Sequence, residues 1–223
     1  MTTSIVVPSK YADIFADCRE SLERYEPTAR KVLVRDQRGI FPPDGWVTLD
    51  GPISLDFCYA RNVNIGIKRT DGNVLLMNDD VRLTHAHTID VLERVLEVRP
   101  DIGIISPRIY GIVGNSTQAT IEPKQIIYSE ARLAFVCVLI RREVIDDIGL
   151  LDERFIGYGG DDVDYCWRAQ EAGWKLAVTG EAAVIHAHPH GASNSYLRRK
   201  ETMKSMDDLA KEIFIDKWGR QGW

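Results

Sequence analysis

Asn78-Asp79-Asp80 follows an apolar run and puts two carboxylates side by side. Adjacent carboxylates repel, and a hard dication held between them and a ligand relieves that repulsion. An oxygen-rich set of this kind suits Mg2+ or Mn2+, ions that bridge readily to diphosphates. The same three residues are good turn formers in water, so a solvated turn explains them equally by type. A second acidic group, Asp161-Asp162-Val163-Asp164, follows Gly157-Tyr158-Gly159-Gly160. Asp161 as N-cap with Asp164 three residues on would make a capping box, and acids suit a helix N-terminus through its dipole. One cap needs one acid, and three are present. The surplus points to a carboxylate aimed at a substrate proton. Third, His186, His188 and His190 alternate, and an extended chain would turn all three to one side. Imidazole ligates metals and moves protons near neutral pH; an exposed loop is the plainer explanation. Finally, Arg61 interrupts the apolar face of Ala60-Arg61-Asn62-Val63-Asn64-Ile65-Gly66-Ile67, where a guanidinium could meet phosphate, a base edge or a surface acid.

These groups need a scaffold, and the hydrophobic pattern supplies one. Strands are predicted at Ser4 to Pro8, Lys31 to Arg35, Trp46 to Leu49, Val74 to Met77, Ile102 to Ile105, Leu133 to Ile140 and Lys175 to Val178, with an apolar stub at Ala183 to Ile185. Helices are predicted over Tyr11 to Tyr25, Phe57 to Lys68, Asp161 to Ala172 and Tyr196 to Trp218, with another capped by Thr84 and reaching Val98. His85 and His87 open that helix and read as cap or surface residues. Tyr110 to Ser129 is polar and turn-rich and reads as a mobile loop region. Strand and helix alternate, which predicts a layered α/β domain with a parallel first half. In open sheets of that kind ligands sit beyond the carboxyl ends of the strands. Asp36 and Asn78-Asp79-Asp80 both follow such ends.

Composition removes other classes. The chain has 223 residues, 28 Lys and Arg against 33 Asp and Glu, and 44% apolar residues. Its net charge of −5 argues against a general nucleic-acid coat. Cys18, Cys58, Cys137 and Cys166 are widely spaced, without metal-finger or disulfide-framework spacing, and read as reduced core residues. No basic region followed by an apolar stretch opens the chain, and no apolar run reaches the ~18 residues of a membrane span. The expected location is cytoplasmic.

The order of the motifs resembles the inverting glycosyltransferases of family two, which have the GT-A fold. The resemblance covers roughly Ser4 to Ser193. It runs through Ile5-Val6-Val7-Pro8, Asp36, Ala60 to Ile67, Leu75-Leu76-Met77-Asn78-Asp79-Asp80, Phe155 to Ala169 and Glu181 to His186. Two positions depart from the family pattern: Asn78 stands first in the D-x-D motif, and Asp161 stands where a glutamate is usual. The loop after Asp36 also lacks the family's serine-rich sequence. The resemblance implies a single GT-A domain over 1–193, with a Rossmann-like, mostly parallel sheet flanked by helices. Residues 1–100 would form its nucleotide-binding half and 101–193 its acceptor half, with 194–223 as a C-terminal helical tail.

It further implies transfer of a sugar, with inversion, from a nucleoside-diphosphate donor to an acceptor hydroxyl. Asp80 and His186, or His188 in its place, would hold Mn2+ or Mg2+. Pro8, Asp36, Arg61, Asn78 and Asp79 would contact the donor. Asp162 would be the general base, with Asp161 binding a sugar or acceptor hydroxyl; which of the two is the base stays open. The acceptor could be a saccharide, a lipid-linked glycan, a protein or a modified nucleobase. Other readings are a nucleotide-sugar-binding pseudoenzyme and a sugar-phosphate nucleotidyltransferase. The latter lacks its glycine-rich loop at Pro8-Ser9-Lys10-Tyr11. The tail carries Arg198, Arg199, Lys200, Lys204, Lys211, Lys217 and Arg220 with Phe214, Trp218 and Trp223. It could pack its apolar side on the core, lie on an anionic membrane, or mediate self-association.

Overall fold

The computed structural model describes residues 2–36, 39–52, 57–111, 113, 115–156, 159–186 and 200–220. Among them nine strands form one sheet: β1 (Ser4–Ser9), β2 (Arg30–Arg35), β3 (Val47–Asp50), β4 (Val74–Met77), β5 (Val81–Leu83), β6 (Ile102–Gly111), β7 (Ile126–Ser129), β8 (Cys137–Ile140) and β9 (Lys175–His186). The helices are α1 (Ala12–Tyr25), α2 (Tyr59–Ile67), α3 (Thr88–Val98), α4 (Ser116–Thr120), α5 (Arg142–Ile148), α6 (Asp161–Glu171) and α7 (Lys200–Trp218). The strand order is β3-β2-β1-β4-β8-β6-β9-β5, with β7 also on β9. β1, β2, β3, β4, β6 and β9 run in one direction; β5, β7 and β8 run against them.

Parallel central strands are covered on both faces, so they read as unbroken apolar runs. Alternation then divides their side chains between two cores. Ile5, Val7, Leu33, Leu75 and Met77 pack with Phe15, Cys18 and Leu22 of α1 and Leu92 and Leu96 of α3. Val6, Val32, Val34, Val74 and Leu76 pack with Val63 and Ile67 of α2 and Cys166 and Ala169 of α6. A third, smaller cluster joins Phe155 and Val163 to Ala210 and Phe214 of α7, with Trp167 and Trp218 against it. The tail thus lays an apolar side on the core. All four cysteines are buried and free.

Several expectations are corrected. α3 begins at Thr88, not Thr84. Thr84 Oγ1 instead donates to the Ala183 carbonyl at 3.1 Å, beside the unforeseen strand β5. The segment read as a mobile loop carries the end of β6, α4 and β7. It is pinned by buried Gln118, whose Nε2 donates to Ser106 Oγ at 2.8 Å and whose Oε1 accepts from Ala134 N–H at 2.8 Å. Only Cys137–Ile140 of the run from Leu133 is strand, because the Leu133 and Ala134 amides are taken by the side chains of Cys166 and Gln118. The two short pieces after Lys175 are one strand, β9, whose pairing with β6 absorbs an irregularity at Pro107/Arg108. The capping box is absent. The N-cap is Gly160, at φ 90°, where a β-carbon would be strained, and Asp161 is the first helical residue. His188, and residues 196–199 of the expected tail helix, lie outside the described residues.

Candidate active site

Because β1, β2, β4, β6 and β9 share a direction, their carboxyl ends lie along one rim. Those ends are Ser9, Asp36, Asn78-Asp79-Asp80, Gly111 and His186. Five sequence segments far apart in the chain therefore meet because of strand order.

Asp79 and Asp80 are the corner of a turn in which the Asn78 carbonyl accepts from Val81 N–H at 3.2 Å. The turn starts β5, and β5 pairs Val81 with His186. That register brings His186 Nε2 to 3.1 Å from Asp80 Oδ1, both side chains about 10% exposed. The approach needs Gly111: its φ is 106°, and a β-carbon there would meet the His186 carbonyl at 2.1 Å. Asp79 turns the other way, accepting from Ser9 Oγ at 2.7 Å. Burial raises its carboxyl to about 7, against the lowering effect of the Ser9 hydroxyl, and Asp80's charge raises it further. Asn78 holds the turn through its backbone, donating N–H to the Val136 carbonyl at 3.0 Å.

Asp161 is buried in the first turn of α6, and burial followed by the charge of Asp162 raises its carboxyl to about 7. Asp162 is half-buried and also raised by burial. Val163 N–H at 2.8 Å, the Phe135 N–H and the charge of Arg132 oppose that rise. Tyr59, at the start of α2, connects the two acidic groups. Its hydroxyl donates to the Phe135 carbonyl at 3.0 Å, and after burial the charges of Asp161, Asp162 and Asp80 push its phenol well up. Both clusters are thus within electrostatic reach of one side chain.

The remaining predicted residues are arranged around this centre. Pro8 is buried in β1 opposite Val34, one residue before Ser9. Asp36 is buried, its N–H donating to the Ser9 carbonyl at 2.8 Å. Arg61 is half-buried on α2, its charge acting on Cys58. The two asparagines of its segment differ. Asn64 staples α2 to the Leu151 backbone at 2.9 and 3.0 Å. Asn62 is fully buried with its side-chain amide directed at Gly51, next to Asp36's strand, and that amide makes no hydrogen bond among the described residues. Sequence reasoning missed Ser9, Tyr59 and Arg132, and gave Asn62 no role of its own although it lies in the segment that carries Arg61. Ser9 also carried a signal, since it ends the strand beside β4.

Residues 124–203 match the model of the family described as "Glycosyltransferase like family 2". The chain superposes on the mannosyltransferase PcManGT from Pyrobaculum calidifontis with a TM-score of 0.65 at 12% identity, covering 92% of this chain and 62% of that one. It superposes on GalNAc-T7 with a TM-score of 0.66 at 13% identity, covering 84% and 44%, and on residues 1–349 of S. aureus TarS at 0.63 and 13%, covering 96% and 72%. The α/β sheet is that of the GT-A fold these neighbours share. It is also 27% identical over 157 residues to the pre-mycofactocin glycosyltransferase of Mycobacterium tuberculosis. That alignment takes in 63% of this chain, which spans about a third (32%) of the length of that relative. No described helix is long and apolar enough to cross a membrane.

Proposed function

We propose that this protein is a metal-dependent inverting glycosyltransferase that moves a sugar from a nucleoside-diphosphate donor to an acceptor hydroxyl. One observation carries the reading. The facing Asp80–His186 pair and the Asp161–Asp162 pair share one rim of a GT-A sheet, with Tyr59 in electrostatic reach of both acidic groups. The comparison structures support the donor class: PcManGT holds GDP-Man and Mn2+, GalNAc-T7 holds UDP, GalNAc and Mn2+, and TarS holds UDP-GlcNAc.

Asp80 Oδ1 and His186 Nε2 form a mixed oxygen and nitrogen donor pair that suits Mn2+ or Mg2+ completed by diphosphate oxygens and water. Such an ion, when bound, neutralises the charge that grows on the leaving diphosphate. Asp36, Asn62 and Arg61 bind the nucleoside and phosphates, and Pro8 shapes the floor beneath them. Asn78 fixes the turn. Asp79, held by Ser9, accepts from ribose or sugar hydroxyls. Asp162 takes the proton of the attacking acceptor hydroxyl. Its neighbour Asp161, protonated up to about pH 7, can donate a hydrogen bond to the bound sugar.

The test is a thermal-shift panel of nucleoside diphosphates and their sugars, with and without Mn2+. A ligand at a hundredfold excess over Kd stabilises the folded chain by about 2.7 kcal/mol. The expected result is a Mn2+-dependent shift with one nucleotide, lost in Asp80→Ala. An Asp80→Ala variant that kept the full Mn2+-dependent shift would refute the metal assignment. Donor binding without transfer or donor hydrolysis would favour the pseudoenzyme instead.

A further inference from the structure

Away from the rim, a cavity of about 330 Å3 opens between residues 130–132, α6 and the end of α7. Small-molecule sites span about 300–1,000 Å3, so it is large enough for one small ligand. Trp167 and Trp218 form its apolar wall, their ring centroids 5.3 Å apart at 80°. Arg132, Glu130, Gln170 and Arg220 supply polar edges, with Arg220 Cζ 4.2 Å over the Trp167 ring. Gln170 Nε2 donates to the Glu130 carbonyl at 2.9 Å and so holds the loop against α6.

The position of this cavity relative to Asp162 follows from helix geometry. Leu133 N–H donates to Cys166 Sγ at 3.3 Å, which fastens the residue after Arg132 to α6. Cys166 lies four residues after Asp162, on the same face, and Gln170 lies one turn further. At 1.5 Å rise per residue Gln170, on the cavity wall, lies about 12 Å along that face from Asp162. A group bound there belongs to a substrate longer than the sugar ring at Asp162.

The lining selects the chemistry. Indole faces offer an apolar platform, and the surrounding amide, carboxylate and guanidinium groups both donate and accept. A pyranose, with one C–H face and a girdle of hydroxyls, matches that division. Glu130 and Glu171 balance Arg132 and Arg220, so a phosphate or carboxylate would meet as much repulsion as attraction. We propose that this cavity is a subsite for the second ring of a neutral oligosaccharide acceptor whose first ring presents its hydroxyl to Asp162. The inference rests on the glycosyltransferase reading above. Binding at this remote ring would help to orient the reacting hydroxyl.

The test is titration of tryptophan emission in the intact protein with glucose, mannose, maltose, cellobiose, mannobiose and the corresponding trisaccharides. UDP and GDP binding with Mn2+ is measured on the same samples. Expected is saturable binding of at least one di- or trisaccharide, at least tenfold tighter than its monosaccharide. Glu130→Ala and the packing-conservative Trp167→Phe should each weaken it about tenfold without changing nucleotide affinity. Absence of saturable binding, equal binding of mono- and disaccharide, or indifference to both variants would overturn the subsite. Nucleotide binding that persists while saccharide binding fails removes the subsite alone. Loss of nucleotide binding removes the transferase reading itself.

Discussion

The first turn of α6 has two faces that treat the same chemical group in opposite ways. On the face toward the rim, Asp161 and Asp162 stand side by side and burial raises both carboxyls. On the face toward α7, Asp164 has a fully buried side chain surrounded by donors. Arg168 Nε lies at 3.0 Å, Lys217 Nζ at 2.7 Å and Trp218 Nε1 at 2.9 Å. Lys217 also reaches Asp152 at 2.9 Å, and Arg154 and Lys217 together hold that carboxyl well below its usual range. Three aspartates within four residues thus divide into a structural anchor and a reactive pair. A buried charge with partners contributes to the fold, whereas one that lacks enough neutralising charge is poised to take or give a proton.

This division makes graded predictions. Asp162→Asn should lower kcat by about 10²–10⁴-fold, the usual worth of a positioned base, while melting temperature and nucleotide binding stay near wild type. Near-normal turnover would break the comparison at its reactive end. Asp164→Ala should cost about 3–5 kcal/mol in a denaturant titration, because Arg168 and Lys217 lose a buried counter-charge. A stable Asp164→Ala protein that lacked turnover would show that the two faces are not separate. Trp218→Phe keeps the ring contacts with Phe214 and Trp167 but removes one donor to a charged acceptor. About 1.5–3 kcal/mol should be lost.

The smallest effect concerns Asp161 and has a defined sign. The folded chain holds its proton up to about pH 7, whereas an unfolded aspartate releases it near 3.9. The folded state therefore binds that proton more tightly. The associated stability is complete below about pH 4 and is lost as pH rises through 7. Asp161→Asn mimics the protonated form. It should melt with wild type at pH 4 and higher than wild type at pH 8, the difference opening as pH rises towards and through 7. Equal melting temperatures at pH 8 would mean that Asp161 is relieved of its neighbour's charge by some other group.

Legibility followed the range of the interactions. The central strands were readable because burial on both faces demands unbroken runs such as Ile5-Val6-Val7 and Val74 to Met77. The short elements β5, β7, α4 and α5 were not. Three to seven residues carry little periodic signal, and partners distant in sequence decide their state: His186 pairs with Val81, and Gln118 reaches Ala134. Asp161's cap role failed for a local reason, since Gly160 adopts the positive φ that the turn requires.

Residue type and order determined which groups could act: two acidic clusters, a histidine after a strand and an arginine on a helix. Tertiary structure decided which of them meet. Parallel strand order collects Ser9, Asp36, Asp80 and His186 on one rim. The β5–β9 register sets Asp80 against His186, and docking of α7 brings Lys217 to Asp164 rather than to Asp162. Such choices depend on pairings across about a hundred residues of chain, such as Asp80 with His186, whose geometry no local pattern encodes.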